Sequence, residues 1–288
     1  MSDSPRSAAT AAAEPFWIDG GSTGILLIHG FMGVPGELHP LGAALAQRGY
    51  TISGMLLARH GQLPEALYNV RWQEWQASAE AALRELETRC QRVLIVGYSL
   101  GGLIALRLAA QHRLAGVVTL AAALELAGGW PLRTLPVARY VMPWFNPMRR
   151  ANFNDPLLRA SLVEKMGEIN WDDPAVIEQL RTMIRIPTGA IHEVVRLGQR
   201  VRRDLPQLTQ PTLILQGRLD TTVQPRSAEQ IYTRLGAADK ELAWFERSGH
   251  LLPNDIERQA VQQTIAGWIE RHLAQSDPAG ARTDASRR

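Results

Sequence analysis

The chain is poor in cysteine, with a single one, Cys90, among its 288 residues. One cysteine cannot form an internal disulfide. Because Cys90 lies at the end of a helical stretch and before an apolar run, we expect a small packed side chain there rather than a catalytic thiol.

Long apolar runs are also absent. The longest ones fall well short of the ~20 residues that a membrane-spanning helix requires. The alanine-rich stretch from Ser7 to Ala13 is too short and too weakly apolar for the hydrophobic region of a secretory signal. We therefore expect a cytoplasmic protein without a transmembrane segment.

The charged residues lack the patterns of nucleic-acid and metal binding. The formal net charge is +3, but the arginines lie on scattered helix faces and in the stretch 279–288, without a continuous basic stripe interleaved with aromatic residues. The histidines are dispersed, and no two have the spacing of paired metal ligands. They are His29, His39, His60, His112, His192, His250 and His272. We expect neither a nucleic-acid partner nor a metal.

The most informative feature that is present is the pentapeptide Gly97-Tyr98-Ser99-Leu100-Gly101. It directly follows the apolar run 92–96 and directly precedes a helical stretch. A serine on so tight a strand-to-helix corner leaves no room for Cβ atoms two residues away on either side, which explains both glycines. The pattern predicts that Ser99 is a nucleophile, with the free N–H groups of the helix start beside the developing oxyanion.

A serine alcohol needs a histidine base and a carboxylate that orients the base. His250 ends a Ser-Gly-His loop after a short predicted strand, and Asp220 lies in the loop that leaves the apolar run 212–217. Loops after strands commonly carry catalytic groups. Asp255 follows His250 in the chain and fits this role less well. We therefore predict Ser99 as nucleophile, Asp220 as the orienting acid and His250 as the base.

The loop His29-Gly30-Phe31 follows the apolar run 24–28 and can present a backbone N–H to the nucleophile. We predict that the oxyanion hole is formed by the backbone amides of Phe31 and Leu100. His29 lies at a strand end before a glycine, so we expect it to order this loop rather than to transfer a proton.

Strands and helices alternate along the chain, which predicts an α/β fold with a mostly parallel sheet and helices on both faces. The predicted strands are 24–28, 51–55, 92–96, 116–121, 212–217 and 241–245. The predicted helices are 36–48, 72–88, 101–111, 226–235 and 257–273. We expect a core of residues 16–124 and 201–274, with flexible tails at 1–15 and 275–288. The predicted site residues all fall beyond the carboxyl ends of strands, where such sheets bind ligands.

The gap between the strand ending near residue 123 and the one beginning at 212 is too long for an ordinary crossover. We expect residues 125–200 to form a mainly helical inserted cap over the site. Its aromatic and methionine side chains are candidates for lining an acyl pocket, and the alternative is that they form the cap's own core. The candidates are Trp130, Met142, Trp144 and Phe145, together with Met148 and Phe153. Docking of 135–145 on lipid is a weaker idea, because prolines interrupt that segment.

These motifs resemble the bacterial carboxylesterase and monoacylglycerol lipase branch of the α/β-hydrolases, from Phe16 to about Leu273. The matching stretches are 26–33, 41–42, 48–50, 74–75, 97–102, 211–220, 231–232 and 248–250. The resemblance implies the α/β-hydrolase fold with an inserted cap, and it assigns the triad and the oxyanion hole to the residues named above, in the chain order of that superfamily. One departure is Arg59-His60-Gly61, where the family usually has Gly-His-Gly. It places a long cation near the site entrance.

The resemblance favours hydrolysis of carboxylic esters through an acyl-enzyme on Ser99, with short- to medium-chain acyl esters or monoacylglycerols as substrates. A carboxylesterase is preferred and a monoacylglycerol lipase comes next. This chemistry needs no cofactor. The expected partner is a small-molecule ester, with transient lipid-surface contact and a monomeric or homodimeric state left open. A thioesterase or acyltransferase with the same triad is the alternative, and a non-catalytic binding protein on this scaffold is a more distant one.

Overall fold

The computed structural model describes residues 13–275 except 129, 157, 160, 161, 164–167 and 184. The predicted tails lie almost wholly outside these described residues. The strands are β1 (Phe16–Ile18), β2 (Thr23–Ile28), β3 (Thr51–Met55), β4 (Arg92–Tyr98), β5 (Gly116–Leu120), β6 (Trp144–Phe145), β7 (Ile186–Pro187), β8 (Thr212–Gly217) and β9 (Lys240–Phe245). The main sheet has the order β1-β3-β2-β4-β5-β8-β9, and β6 pairs with β7 separately. In the main sheet, only the edge strand β1 runs antiparallel to its neighbour.

Helices connect these strands. They are α1 (His39–Ala46), α2 (Trp72–Arg89), α3 (Leu100–Ala109), α4 (Leu135–Val141), α5 (Pro174–Met183), α6 (Thr188–Asp204), α7 (Arg226–Arg234) and α8 (Arg258–Gln275). Short 3-10 turns lie at Pro35–Leu38, Pro64–Leu67, Trp130–Thr134, Pro147–Arg150 and Leu205–Gln207. Within the described part of the chain, no helix is long and apolar enough to cross a membrane.

The core consists of two apolar layers, one on each face of the sheet. Strand β4 contributes Val93 and Ile95 to one layer and Leu94 and Val96 to the other, because successive strand side chains point to opposite faces. Helices α2, α3, α6 and α7 cover the first face, and α1 and α8 cover the second. The predicted parallel sheet with helices on both faces is therefore confirmed. Every predicted strand and helix is present within a few residues of its expected bounds.

The chain between β5 and β8 carries α4, β6, α5, β7 and α6, and this segment, predicted to be inserted, is called the insertion below. Part of it has a small core of its own around Phe153, Leu162 and Leu180. Helix α6 instead packs its apolar side on the main core through Val194, Leu197 and Val201. The predicted boundary between residues 200 and 201 consequently falls inside a continuous helix, because α6 belongs to the insertion by sequence and to the core by packing.

Candidate active site

Ser99 occupies a strained corner between β4 and α3. Its backbone has φ 54° and ψ −111°, a conformation that L residues seldom adopt outside functional sites. A Cβ on Gly97 would collide with the carbonyl of Gly101, and a Cβ on Gly101 would collide with the carbonyl of Ile28 at the end of β2. The glycine spacing is therefore required by the close approach of three backbone segments. The backbone N–H of Ser99 donates to Leu120 O at 2.8 Å, which ties the corner to β5.

The structure brings together the three residues predicted as a triad. His250 Nε2 lies 3.0 Å from Ser99 Oγ, and His250 Nδ1 lies 2.8 Å from Asp220 Oδ2. The Asp220 and Ser99 residues are 5% and 7% exposed, so this chain of hydrogen bonds is shielded from bulk water. In a neutral tautomer with the proton on Nδ1, His250 donates to the carboxylate and its Nε2 accepts from the serine hydroxyl.

The carboxylate of Asp220 is fixed by three donors in addition to the histidine. The backbone N–H groups of Thr222 and Val223 donate to Oδ1 at 2.9 and 2.8 Å, and Gln216 Nε2 donates to Oδ2 at 2.9 Å. These partners hold the buried carboxylate in one orientation. Sequence reasoning missed Gln216, although a glutamine at the end of the otherwise apolar strand β8 is a signal that could have found it.

The loop that carries His250 is held by two other acids. Asp255 Oδ2 accepts from the backbone N–H of Gly249 at 2.7 Å, and Glu257 Oε2 accepts from Arg247 N at 2.9 Å and from Ser248 Oγ at 2.7 Å. Asp255 therefore binds the backbone of the loop, and this bond does not involve the imidazole of His250. On the other side, the buried Tyr98 ring lies 5.4 Å from the His250 ring, centroid to centroid.

The two amides predicted for the oxyanion hole come from two different segments next to the nucleophile. Leu100 is the first residue of α3, and Phe31 follows Gly30 in the loop after β2. Neither backbone N–H has a hydrogen-bond acceptor among the described residues. A Cβ on Gly30 would lie 3.0 Å from the Tyr98 ring and 3.4 Å from Ser99 Cβ, so this loop passes directly beside the serine. These observations leave the predicted oxyanion hole compatible with the structure, and it remains a prediction.

His29 is buried and connects the loop after β2 to the loop after β3. The backbone N–H of Leu57 donates to its Nε2 at 3.1 Å, and its Nδ1 lies 2.8 Å from Gly30 O. Burial and, to a smaller extent, the neighbouring His60 lower the pKa of His29 to about 3, although the bond to the Gly30 carbonyl raises it in part. The ring is therefore neutral and has its proton on Nδ1. These contacts match the loop-ordering role expected for His29.

His60 belongs to an aromatic cluster behind Phe31. Its ring centroid lies 6.1 Å from that of Phe31, 6.0 Å from that of Trp75 and 5.1 Å from that of His29. Burial lowers the pKa of His60 to about 4, although the carbonyls of Ala58 and Leu57 raise it in part. Sequence reasoning did not assign His60 or Trp75 a role at the site. They form the wall against which the Phe31 loop packs.

Arg59, the departure from the family pattern, is not a free cation. Its Nε lies 2.8 Å from Glu74 Oε2, and its Nη1 donates to Tyr68 O at 3.3 Å. The ring of Tyr68 in turn stacks on Trp144 of the insertion, with centroids 5.7 Å apart. Arg59 therefore braces a core loop that contacts the insertion.

The structure separates the side chains predicted to line an acyl pocket. Phe153 is buried in the insertion's own small core, with Met148 packed against that core. Met142 and Phe145 are 52% and 43% exposed. Trp144 is half-buried between Tyr68 and the guanidinium of Arg185. The backbone of Trp130 begins a 3-10 turn, but its side chain lies outside the described residues.

Comparison with known proteins places this site in a family. Residues 22–257 match the Hydrolase_4 family, described as serine aminopeptidase, S33. A thermostable monoacylglycerol lipase of Bacillus sp. (strain H-257) is 26% identical over 263 residues, which cover 91% of this chain and 96% of that protein. A carboxylesterase of Bacillus subtilis (strain 168) is 25% identical over 260 residues, which cover 90% and 96% of the two chains.

A solved structure reported for LipS and LipT, two metagenome-derived lipolytic enzymes, superposes with a TM-score of 0.75 at 27% identity, over 91% of this chain and 98% of that one. A monoacylglycerol lipase from Paleococcus ferrophilus has a TM-score of 0.69 at 18% identity, over 90% and 99%, and shares the fold. Since the family match spans most of the sequence and the sheet has the matching architecture, this chain belongs to the Hydrolase_4 family of α/β-hydrolases, in its carboxylesterase and monoacylglycerol lipase branch.

Proposed function

We propose that this protein is a serine hydrolase that cleaves carboxylic esters through an acyl-enzyme on Ser99. The observation that supports this most strongly is the continuous hydrogen-bonded path from Ser99 Oγ through His250 to Asp220, with bonds of 3.0 and 2.8 Å. The relatives named as a carboxylesterase and a monoacylglycerol lipase match over nearly the whole chain and support an ester as the scissile group.

In the proposed reaction Ser99 Oγ attacks the ester carbonyl while its proton passes to His250 Nε2. Asp220 stabilises the resulting imidazolium through the Nδ1–H bond, and the amides of Phe31 and Leu100 donate to the oxyanion. Collapse of the tetrahedral intermediate expels the alcohol, which takes the proton from His250. Water then attacks the acyl-enzyme with His250 again as the base, and the acid is released.

Among esters, we propose short- to medium-chain acyl esters first and monoacylglycerols second, that is, a carboxylesterase before a monoacylglycerol lipase. The Arg59 cation is paired with Glu74, which reduces its pull on an acidic substrate. We further propose that the insertion 125–200 is a cap over the site. Its contact with the core through Tyr68 and Trp144 supports this arrangement.

A peptide substrate is the second candidate, because the matching family is described as a serine aminopeptidase. The same serine chemistry also serves thioesters and acyl transfer, since the fold does not determine the leaving group. The substrate assay must therefore include these bonds beside the oxygen ester.

The test is hydrolysis of p-nitrophenyl esters from two to sixteen carbons, together with a monoacylglycerol, an acyl-coenzyme A thioester and an amino-acid p-nitroanilide. The wild type is compared with Ser99→Ala and with Ser22→Ala, a control at an exposed serine. The proposal requires ester turnover that Ser99→Ala abolishes and Ser22→Ala retains. Preferential turnover of the thioester or the anilide would replace the ester assignment, and ester turnover that survives in Ser99→Ala would refute the nucleophile.

A further inference from the structure

A cavity of about 690 Å³ opens on the insertion, and three of its lining side chains are the arginines Arg149, Arg181 and Arg185. The one acidic residue among the described lining residues is Glu178. Three guanidinium groups and one carboxylate around a single cavity give it a net positive charge. Its remaining walls include the indole of Trp144.

Hydrogen bonds join the two segments that carry Arg149 and Arg181. Asn146 Oδ1 accepts from the backbone N–H groups of Met148 and Arg149 at 3.0 and 3.1 Å, and its Nδ2 donates to Arg181 O at 2.6 Å. Arg181 Nη1 returns a bond to Arg149 O at 3.0 Å. One asparagine therefore clamps the 3-10 turn after β6 to the end of α5, and the two segments carry their arginines into the same cavity.

No carboxylate of the described residues forms a salt bridge with these cations. Within the described residues, none of the three has a carboxylate in salt-bridge distance, whereas Arg59 and Arg107 elsewhere are paired with Glu74 and Asp204. Arg185 instead lies over the Trp144 ring, 4.8 Å from its centroid. The negative end of the α5 helix dipole would stabilise the positive charges of Arg181 and Arg185 without any ligand. The helix dipole does not explain the position of Arg149, which lies in a different element and lines the same cavity.

We propose that this cavity binds a phosphate-bearing group. Planar guanidinium forks match the oxygens of a phosphate and can bind them bidentately, and they are less strongly hydrated than lysine ammonium groups. Trp144 also lines the cavity, with the guanidinium of Arg185 lying over its ring. The phosphate belongs either to a soluble phosphate monoester or to a phospholipid headgroup. The site is separate from Ser99, so its test does not depend on the proposed hydrolysis.

The experiment measures binding by the full-length protein in two arms at low ionic strength. Calorimetry reports binding of glycerol 3-phosphate, and co-sedimentation reports binding to vesicles of phosphatidylglycerol against vesicles of phosphatidylcholine. The variants are Arg149→Gln and Arg149→Gln/Arg185→Gln, with Arg203→Gln as a control that removes the same charge from an exposed position outside the cavity. A circular dichroism spectrum and a urea unfolding curve of each variant check that it is folded.

We expect binding in at least one arm, weakened about tenfold or more by each arginine removed from the cavity and unchanged in Arg203→Gln. A gain-of-function variant guards against damage to the fold: Glu178→Gln removes the carboxylate and should tighten binding several-fold. Binding of glycerol 3-phosphate identifies a soluble ligand, and binding of phosphatidylglycerol vesicles alone identifies a headgroup. Absence of binding in both arms overturns the proposal, and so does equal weakening in Arg203→Gln, which would indicate nonspecific charge attraction.

Discussion

Acidification should destabilise this protein through two buried histidines, His29 and His60. Burial lowers their pKa values to about 3 and about 4, from 6.5 for an exposed imidazole. Below pH 6.5 the unfolded chain therefore binds protons that the folded chain does not. The stability associated with these neutral rings is fully present above pH 6.5 and is lost progressively as the pH falls towards 4 and below.

The size of the effect follows from linkage. Between pH 8 and pH 5, a histidine with a folded pKa near 4 loses about 2 kcal/mol of stability, and one with a folded pKa near 3 loses about the same. Either loss is a large share of the ~5–15 kcal/mol that stabilises a typical domain. The two ring centroids lie 5.1 Å apart, so a proton on one ring opposes a proton on the other.

The assay is urea unfolding at pH 8 and pH 5 for the wild type and His60→Gln. The variant should be less stable at both values, but its loss between them should be smaller than that of the wild type by about 2 kcal/mol. Any constant cost of the substitution cancels in this difference. Trp75→Phe, in the same aromatic cluster, changes the packing but no titratable group and should keep the wild-type difference. An undiminished pH dependence in His60→Gln would refute the assignment of a neutral buried His60.

Four other predictions address the site and its supports. Ser99→Ala should lower kcat by about 10⁴-fold or more with an unchanged circular dichroism spectrum. Asp220→Asn should lower kcat by about 10⁴-fold, because the amide favours the wrong imidazole tautomer; wild-type rates would refute its role. Gly101→Ala should cost about 3 kcal/mol or more in urea unfolding, since its Cβ meets the Ile28 carbonyl. Tyr68→Ala should raise KM about fivefold for long-chain esters, because the stack on Trp144 is lost. KM for p-nitrophenyl acetate should not change, and equal changes in KM for both substrates would contradict this.

Sequence patterns located the strand ends well because parallel strands share an edge at which their loops meet. The positions of Ser99, Asp220 and His250 after β4, β8 and β9 follow from three apolar runs and the residues that leave them. Hydrogen-bond partners were harder to predict. Gln216 lies only four positions before Asp220, and its place at the end of an apolar strand was a signal that went unused. The contacts of His60 with Phe31 and Trp75 instead join separate stretches of the chain, and they became visible only when the strands were placed side by side.

The edge strand β1 was missed for a different reason. It has three residues, Phe16–Ile18, and it pairs antiparallel with β3, so it lacks both the length and the periodicity that indicate a strand. Its Phe16 ring nevertheless fills the space above Gly54, where a Cβ would collide with it. A short strand of this kind is determined by its partner and not by its own sequence.

Sequence patterns were not sufficient to predict where the side chains of the insertion lie. Its aromatic residues suggest one apolar lining, yet Phe153 is in a local core, Phe145 is 43% exposed and Trp144 lies between Tyr68 and Arg185. Its arginines read as scattered surface charge, because Arg149 and Arg181 are 32 positions apart in the sequence. The side chain of Asn146 makes two hydrogen bonds within its own turn and one to the carbonyl of Arg181, and the last one joins the two segments. A concentration of like charge that is held in place and, within the described residues, faces a single carboxylate, that of Glu178, costs stability, and a bound anion would remove that cost.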